Sequence, residues 1–188
     1  GHHLIAIATT AWPNLPPHEA RPELSGVLAD IVKLFTQTIG GYQRHLEAVS
    51  ENAPAQVLRE KLDDWFVDDA RDASDWIVFY YTGHAELAAS DSLYLLTHDY
   101  KPGKYVSTAL SLKQFADFVL PPRDAARPRA VRNVLAIVDT CYAGAGAPDL
   151  VGQLSESFRR TSGGAFYVLG AALARETAQS GALAAALI

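Results

Sequence analysis

The chain of 188 residues contains one cysteine and no methionine. A single cysteine excludes an internal disulfide and is typical of a reducing compartment, so we expect a cytoplasmic protein with a free thiol. No apolar run approaches the roughly 20 residues that a membrane-spanning helix needs, so no membrane association is predicted. A formal net charge of −5 provides no basic surface for phosphates, which argues against nucleic-acid binding.

The chain also has little that would hold a metal or an organic cofactor. It opens Gly1-His2-His3 before an apolar run, and we interpret these residues as a tag remnant or an internal boundary. No further ligand stands at helical or hairpin spacing from the two histidines, so we predict no metal site. No glycine-rich phosphate loop follows the first predicted strand, so we predict no nucleotide and no other cofactor.

What the chain does contain is an alternation of short apolar runs with helical patterns. Predicted strands are Leu4–Ala8, Tyr42–Val49, Trp76–Tyr81, Leu93–Leu96, Val134–Val138 and Phe166–Leu169; predicted helices are Leu24–Phe35, a helix after Pro54, Leu110–Leu120 and Ala182–Ile188. Strands that alternate with helices favour an α/β fold with a mainly parallel sheet and helices on both faces. The length fits one domain spanning 1–188.

Two reactive residues come directly after predicted strands of this sheet. His84 follows the strand that begins at Trp76, and Cys141 follows the strand that begins at Val134. The carboxyl ends of parallel strands meet at one edge, where sites of open α/β sheets gather. A thiol is a poor nucleophile while protonated, so a histidine beside it is the expected activating base.

Each residue also has a plainer interpretation. A single cysteine at a strand end is usually a small buried apolar residue, and a single histidine is usually a loop residue. Small neighbours on both sides, Gly83 with Ala85 and Ala143 with Gly144, favour a site that a substrate backbone approaches. The order His before Cys, without a Gly-x-Ser-x-Gly elbow, argues against an α/β-hydrolase.

These segments carry a family resemblance. Tyr80-Tyr81-Thr82-Gly83-His84 and Val138-Asp139-Thr140-Cys141-Tyr142-Ala143-Gly144 resemble the histidine and cysteine motifs of caspase-like peptidases, nearest to bacterial metacaspase-like and paracaspase-like domains. His84 lies 57 residues before Cys141, close to the spacing of about 50 in the caspase signature. The resemblance implies a caspase-hemoglobinase fold and a cysteine endopeptidase acting on protein or peptide substrates in a bacterial defence or regulated-proteolysis system.

The resemblance also implies roles for further residues. Asp139 would select Arg or Lys before the cleaved bond, unless it only caps the following turn, and Glu176 is a second candidate for that pocket. The backbone N–H groups of Ala85, which replaces the usual glycine, and of Cys141 would hold the oxyanion. The last strand that the caspase-like fold normally has, which would follow the Phe166–Leu169 strand, is not visible before Ile188, so we expect a fragment, or a domain completed by a dimer partner or by a regulatory or effector module. The alternative is a catalytically silent interaction or scaffold domain.

Overall fold

The computed structural model describes residues 1–67, 72, 74–88, 92–119, 133–140, 165–170 and 182–188. Its main feature is a five-stranded parallel sheet in the order β2-β1-β3-β7-β8. The strands are β1 His2–Ala8, β2 Tyr42–His45, β3 Trp76–Gly83, β7 Asn133–Thr140 and β8 Ala165–Gly170. The predicted α/β architecture with a mainly parallel sheet is therefore confirmed.

The three central strands are buried on both faces, which explains why their sequences are almost continuously apolar. Successive side chains of a strand point to opposite faces, so each strand supplies two different cores. Ile77, Phe79 and Tyr81 of β3 pack on one face with α2 (Ala55–Val67) and α4 (Leu112–Val119). Val78 and Tyr80 pack on the other face with α1 (Leu24–Lys33) and α5 (Ala182–Leu187).

A second sheet, which the sequence analysis did not foresee, follows β3. It is antiparallel, in the order β4 Ala85–Leu87, β5 Leu93–Leu96 and β6 Ala109–Ser111. Only β5 was predicted, because strands of three residues are too short to show an alternating pattern. A short helix, α3 Tyr105–Thr108, precedes β6.

The helix predicted from Leu110 begins later, at Leu112, because the residues before it pair with β5. Ser111 and Gln114 form a reciprocal cap: Gln114 N–H donates to Ser111 Oγ, and Ser111 N–H donates to Gln114 Oε1, both at 3.0 Å. This arrangement satisfies two backbone donors at the start of the helix and fixes its first turn.

Three further elements refine the predicted boundaries. α1 continues as a π-helical turn over Leu34–Thr38 before the glycines at 40 and 41. The predicted strand from Tyr42 ends at His45, because Leu46 has a positive φ of 57° and a 3₁₀ turn, Glu47–Val49, follows.

Within the described ranges, no helix has both the length and the apolar character that crossing a membrane requires.

Candidate active site

His84 stands at the junction of the two sheets, between the end of β3 and the start of β4. The chain can turn there because Gly83 adopts a φ of +152°, which residues with a side chain rarely adopt. A Cβ atom on Gly83 would lie 2.6 Å from the Tyr81 hydroxyl oxygen and 3.1 Å from the Thr9 carbonyl oxygen. Glycine is therefore required immediately before the histidine.

The pairing of β3 with β7 relates the two sequence motifs. Thr82 pairs with Asp139, and Gly83 pairs with Thr140. The residue before His84 is thus the register partner of the residue before Cys141, at the carboxyl edge of adjacent parallel strands. Cys141 itself and Glu176 lie outside the described residues, so their expected roles stay predictions.

The imidazole ring of His84 is held by the loop after β1. Its Nε2 lies 2.8 Å from the Glu19 carbonyl oxygen and 3.2 Å from Glu19 Oε2, and the side chain is only 14% exposed. Glu19 ends a 3₁₀ turn, and Arg21 N–H donates to the Thr10 carbonyl oxygen at 2.7 Å, which brings the loop back over the strand end.

This contact determines which ring nitrogen is available as a base. A carbonyl oxygen only accepts hydrogen bonds, so Nε2 carries a proton when it contacts Glu19 O. In the neutral ring the lone pair then resides on Nδ1.

Trp12 fixes the plane of the imidazole. The two rings stack with centroids 4.2 Å apart and an interplanar angle of 28°. Trp12 is anchored in turn, since its Nε1–H donates to the Leu96 carbonyl oxygen at 3.0 Å, and the Tyr81 hydroxyl donates to the same oxygen at 2.7 Å. The ring of His84 is therefore restrained both by a stacking contact and by a hydrogen bond.

The ladder of the small sheet shows where the Ala85 N–H points. Leu96 N–H donates to His84 O at 2.9 Å, and Ala88 N–H donates to Ser92 O at 3.0 Å, so these are the hydrogen-bonded pairs. Because such pairs alternate along an antiparallel ladder, Ala85 opposite Leu95 is a non-hydrogen-bonded pair. Its N–H is directed away from β5, on the outer side of an edge strand, and its expected role as an oxyanion donor stays a prediction.

Asp139 is placed differently from the other predicted site residues. Its side chain has no exposed surface, and it faces Tyr80 and the start of α5. Oδ2 accepts from the Tyr80 hydroxyl at 3.1 Å and from Ala184 N–H at 3.0 Å, and Oδ1 accepts from Leu183 N–H at 3.2 Å. A substrate cation would reach this carboxylate only if α5 moved. The predicted selection of basic residues by Asp139 stays a prediction that this burial does not favour.

Trp12 and Glu19 are site residues that sequence reasoning did not identify. Their segment lacks the glycines of a phosphate loop and carries no other motif that indicates a site. One signal was present: this loop follows the carboxyl end of β1, which lies beside β3 in the sheet, so its side chains fall at the same edge as His84.

The histidines at the chain start lie at the opposite edge of the sheet. Rather than preceding the fold, His2 and His3 are the first residues of β1. His3 Nε2 lies 3.0 Å from Asp75 Oδ2, and His3 Nδ1 lies 3.0 Å from His45 Nε2. Burial would raise the pKa of Asp75, but hydrogen bonds from the terminal amine, the Asp72 N–H and His3 outweigh it and hold that pKa well below its usual range. Among the residues described, no cluster of three or more His, Cys, Asp or Glu side chains is arranged to hold a metal ion.

Comparison with models of known protein families and with curated proteins finds no match to this chain. The assignment of a function therefore rests on the two motifs and on the geometry around His84.

Proposed function

We propose that the chain is a caspase-like cysteine endopeptidase, in which His84 activates Cys141. The observation that carries the proposal is the restraint of the His84 ring. Its Nε2 contacts Glu19 O at 2.8 Å and its face stacks on Trp12, so Nδ1 is the nitrogen left to accept a proton. A histidine that served only to fill space would not need this orientation.

The register of the strands is the second support. Gly83 and Thr140 are partners, and His84 and Cys141 are the residues that follow them in the sequence. A base and a nucleophile must come within hydrogen-bond reach of each other during the reaction, although such pairs are often looser without substrate.

The reaction would proceed in two halves. His84 Nδ1 accepts the proton of the Cys141 thiol, and the thiolate attacks the carbonyl carbon of the peptide bond, whose oxygen becomes an oxyanion. The N–H groups of Ala85 and Cys141 would donate to that oxyanion. The imidazolium then gives its proton to the leaving amine, and a water molecule activated by the same nitrogen releases the acyl group.

The proposal extends to the biological setting that the motif resemblance implies. The substrate would be a protein or peptide in the cytoplasm, cleaved in a bacterial defence or regulated-proteolysis system. No metal ion or organic cofactor takes part in the steps above. Dimer partners and attached regulatory or effector modules belong to the same proposal.

Labelling of the purified protein with a peptidyl electrophile tests the mechanism. We expect one equivalent of label on Cys141, and none after Cys141→Ala. His84→Ala should reduce the labelling rate and kcat by orders of magnitude, because members of such a unit act together. His2→Ala is the matched control, since that side chain is exposed and lies at the opposite edge of the sheet.

Two results would contradict the proposal. One is full peptidase activity in Cys141→Ala; the other is a labelling rate in folded His84→Ala equal to that of the unmodified protein. An unreactive thiol in a folded protein would favour the alternative of a silent interaction domain.

A further inference from the structure

One face of the small sheet continues from His84 into a set of polar and aromatic side chains. Side chains two residues apart on a strand share a face, so Glu86 of β4 lies on the same face as His84. Glu86 pairs with Tyr94 of β5, and Leu96 N–H bonds to His84 O. Trp12, Leu96, Tyr94, Tyr100 and Tyr105 pack together in one cluster, which covers this face beside the histidine.

Glu86 is held at a fixed position within that cluster. Its Oε2 accepts from the Tyr100 hydroxyl at 2.6 Å, and its Oε1 accepts from the Tyr105 hydroxyl at 2.7 Å. Such short hydrogen bonds are typical of a charged acceptor. The hydrogen bond to Glu86 is also the main cause of the raised pKa of Tyr105. The carboxylate therefore keeps its place without a basic partner.

The charge of Glu86 has no counter-ion in the part of the chain that the structure describes. The ion pairs there involve other carboxylates, and no Lys, Arg or His contacts this one. Removing a carboxylate from water is costly unless it is paired, and two neutral hydroxyls compensate this cost only in part. A half-buried carboxylate of this kind is suited to an external cation.

The aromatic neighbours provide a second attraction for a cation. The rings of Tyr94 and Tyr105 lie 5.2 Å apart, and those of Tyr100 and Tyr105 lie 6.0 Å apart, with interplanar angles of 35° and 34°. Tyrosine faces attract Lys and Arg side chains through their ring quadrupole. Tyr94 and Tyr105 are only partly buried, whereas Tyr100 is 2% exposed and serves as the support beneath them.

We propose that Glu86, with the rings of Tyr94 and Tyr105, is a subsite that binds one Lys or Arg side chain of the peptide substrate. The inference rests on the proposed function, since it places the subsite beside the catalytic histidine. Positions 84 and 86 are separated by about 6.6 Å along an extended chain, which is also the spacing of alternate side chains in an extended peptide. The subsite would therefore recognise a residue one or two positions from the cleaved bond, independently of Asp139.

Lysine-scanned peptides test the subsite. Eight-residue substrates carry a single lysine at each position in turn, and a matched series carries norleucine there instead. We expect one position at which lysine raises kcat/KM about tenfold or more over norleucine, the size typical of a charge-assisted contact. Glu86→Gln should remove this ratio at that position alone, while Glu86→Asp, which retains the charge, should keep part of it.

Two controls accompany the scan. Glu60→Gln changes the net charge equally, but its side chain is exposed on α2 and contacts Gln56, so the lysine ratio should stay unchanged. Tyr105→Phe removes one hydroxyl donor and keeps the ring, so the ratio should fall partially. It also provides a test if Glu86→Gln fails to fold, which far-ultraviolet circular dichroism would reveal.

Direct binding separates this inference from the proposed function. Fluorescein-labelled forms of the same peptides are titrated against Cys141→Ala and against Cys141→Ala with Glu86→Gln. If the wild-type chain cleaves peptides but no lysine preference responds to the Glu86 or Tyr105 variants, the subsite is refuted and the peptidase proposal stands. If nothing is cleaved but lysine peptides bind in a manner that requires Glu86, the cation site stands and the peptidase proposal fails. If neither cleavage nor Glu86-dependent binding occurs, both are refuted.

Discussion

Replacing Asp139 with asparagine distinguishes a structural carboxylate from a substrate-binding one. Three contacts of this side chain come from donors: the Tyr80 hydroxyl and the N–H groups of Leu183 and Ala184. An ionised carboxylate accepts on both oxygens, whereas an amide has one oxygen and one NH₂ group. In either orientation, the amide of Asp139→Asn would direct its NH₂ group at a backbone N–H of α5.

The expected cost follows from these contacts. Hydrogen bonds to charged groups contribute about 1.5–3 kcal/mol each, and a buried donor left without an acceptor costs about 1–3 kcal/mol. Because the helix end can relax, we expect Asp139→Asn to lower the free energy of unfolding by about 2–4 kcal/mol. Tyr80→Phe removes a single donor to the carboxylate and should cost about 1.5–3 kcal/mol. Both losses are large against a typical domain stability of about 5–15 kcal/mol.

Urea unfolding of the unmodified protein, Asp139→Asn and Tyr80→Phe, followed by circular dichroism, measures these differences in the free energy of unfolding. A loss below about 0.5 kcal/mol in Asp139→Asn would refute the structural role, since surface substitutions commonly have effects of that size. The peptide scan is then repeated on the folded variant. Loss of a preference for Arg or Lys before the cleaved bond, without loss of stability, would establish the substrate-binding role that the motif resemblance implies.

Two other predictions concern the His84 support and the buried tyrosines. Trp12→Leu removes the ring stacked on His84. Because aromatic pairs contribute about 0.5–1.5 kcal/mol, kcat should fall about threefold to tenfold with little change in KM. An unchanged kcat would contradict the orienting role of Trp12. Burial raises the pKa of Tyr81, and burial together with the Asp139 charge raises that of Tyr80, so both stay protonated in the folded protein while they ionise in the unfolded chain. Stability from this source is present below about pH 10 and is lost as pH rises above it, by up to about 1.4 kcal/mol per pH unit for each group. Urea unfolding at increasing pH, with tyrosinate absorbance as a second signal, should show a shallower decline in Tyr81→Phe; equal slopes would count against the assignment.

The central sheet could be predicted from the amino-acid sequence. The strands β3 and β7 are largely apolar on both faces, because helices cover both faces of the sheet. Such continuous apolar runs can be identified from the sequence alone. The position of His84 at a strand end could likewise be predicted, since Gly83 interrupts the apolar run just before it. The chain order of strands and helices then limited the fold to a parallel α/β sheet.

The side chains that surround His84 and Asp139 come together only through tertiary packing. The contacts of His84 with Trp12 and Glu19 join residues more than 60 positions apart, and no local pattern encodes them. The small sheet is built from strands of three or four residues, whose pairing depends on how the chain folds back after Gly83. The predicted strand ended at Val138, whereas β7 continues through Asp139. The backbone N–H groups that contact its carboxylate belong to α5, far along the chain. Periodicity shows which face of an element is buried, whereas the groups that meet across that face are fixed only when the elements pack.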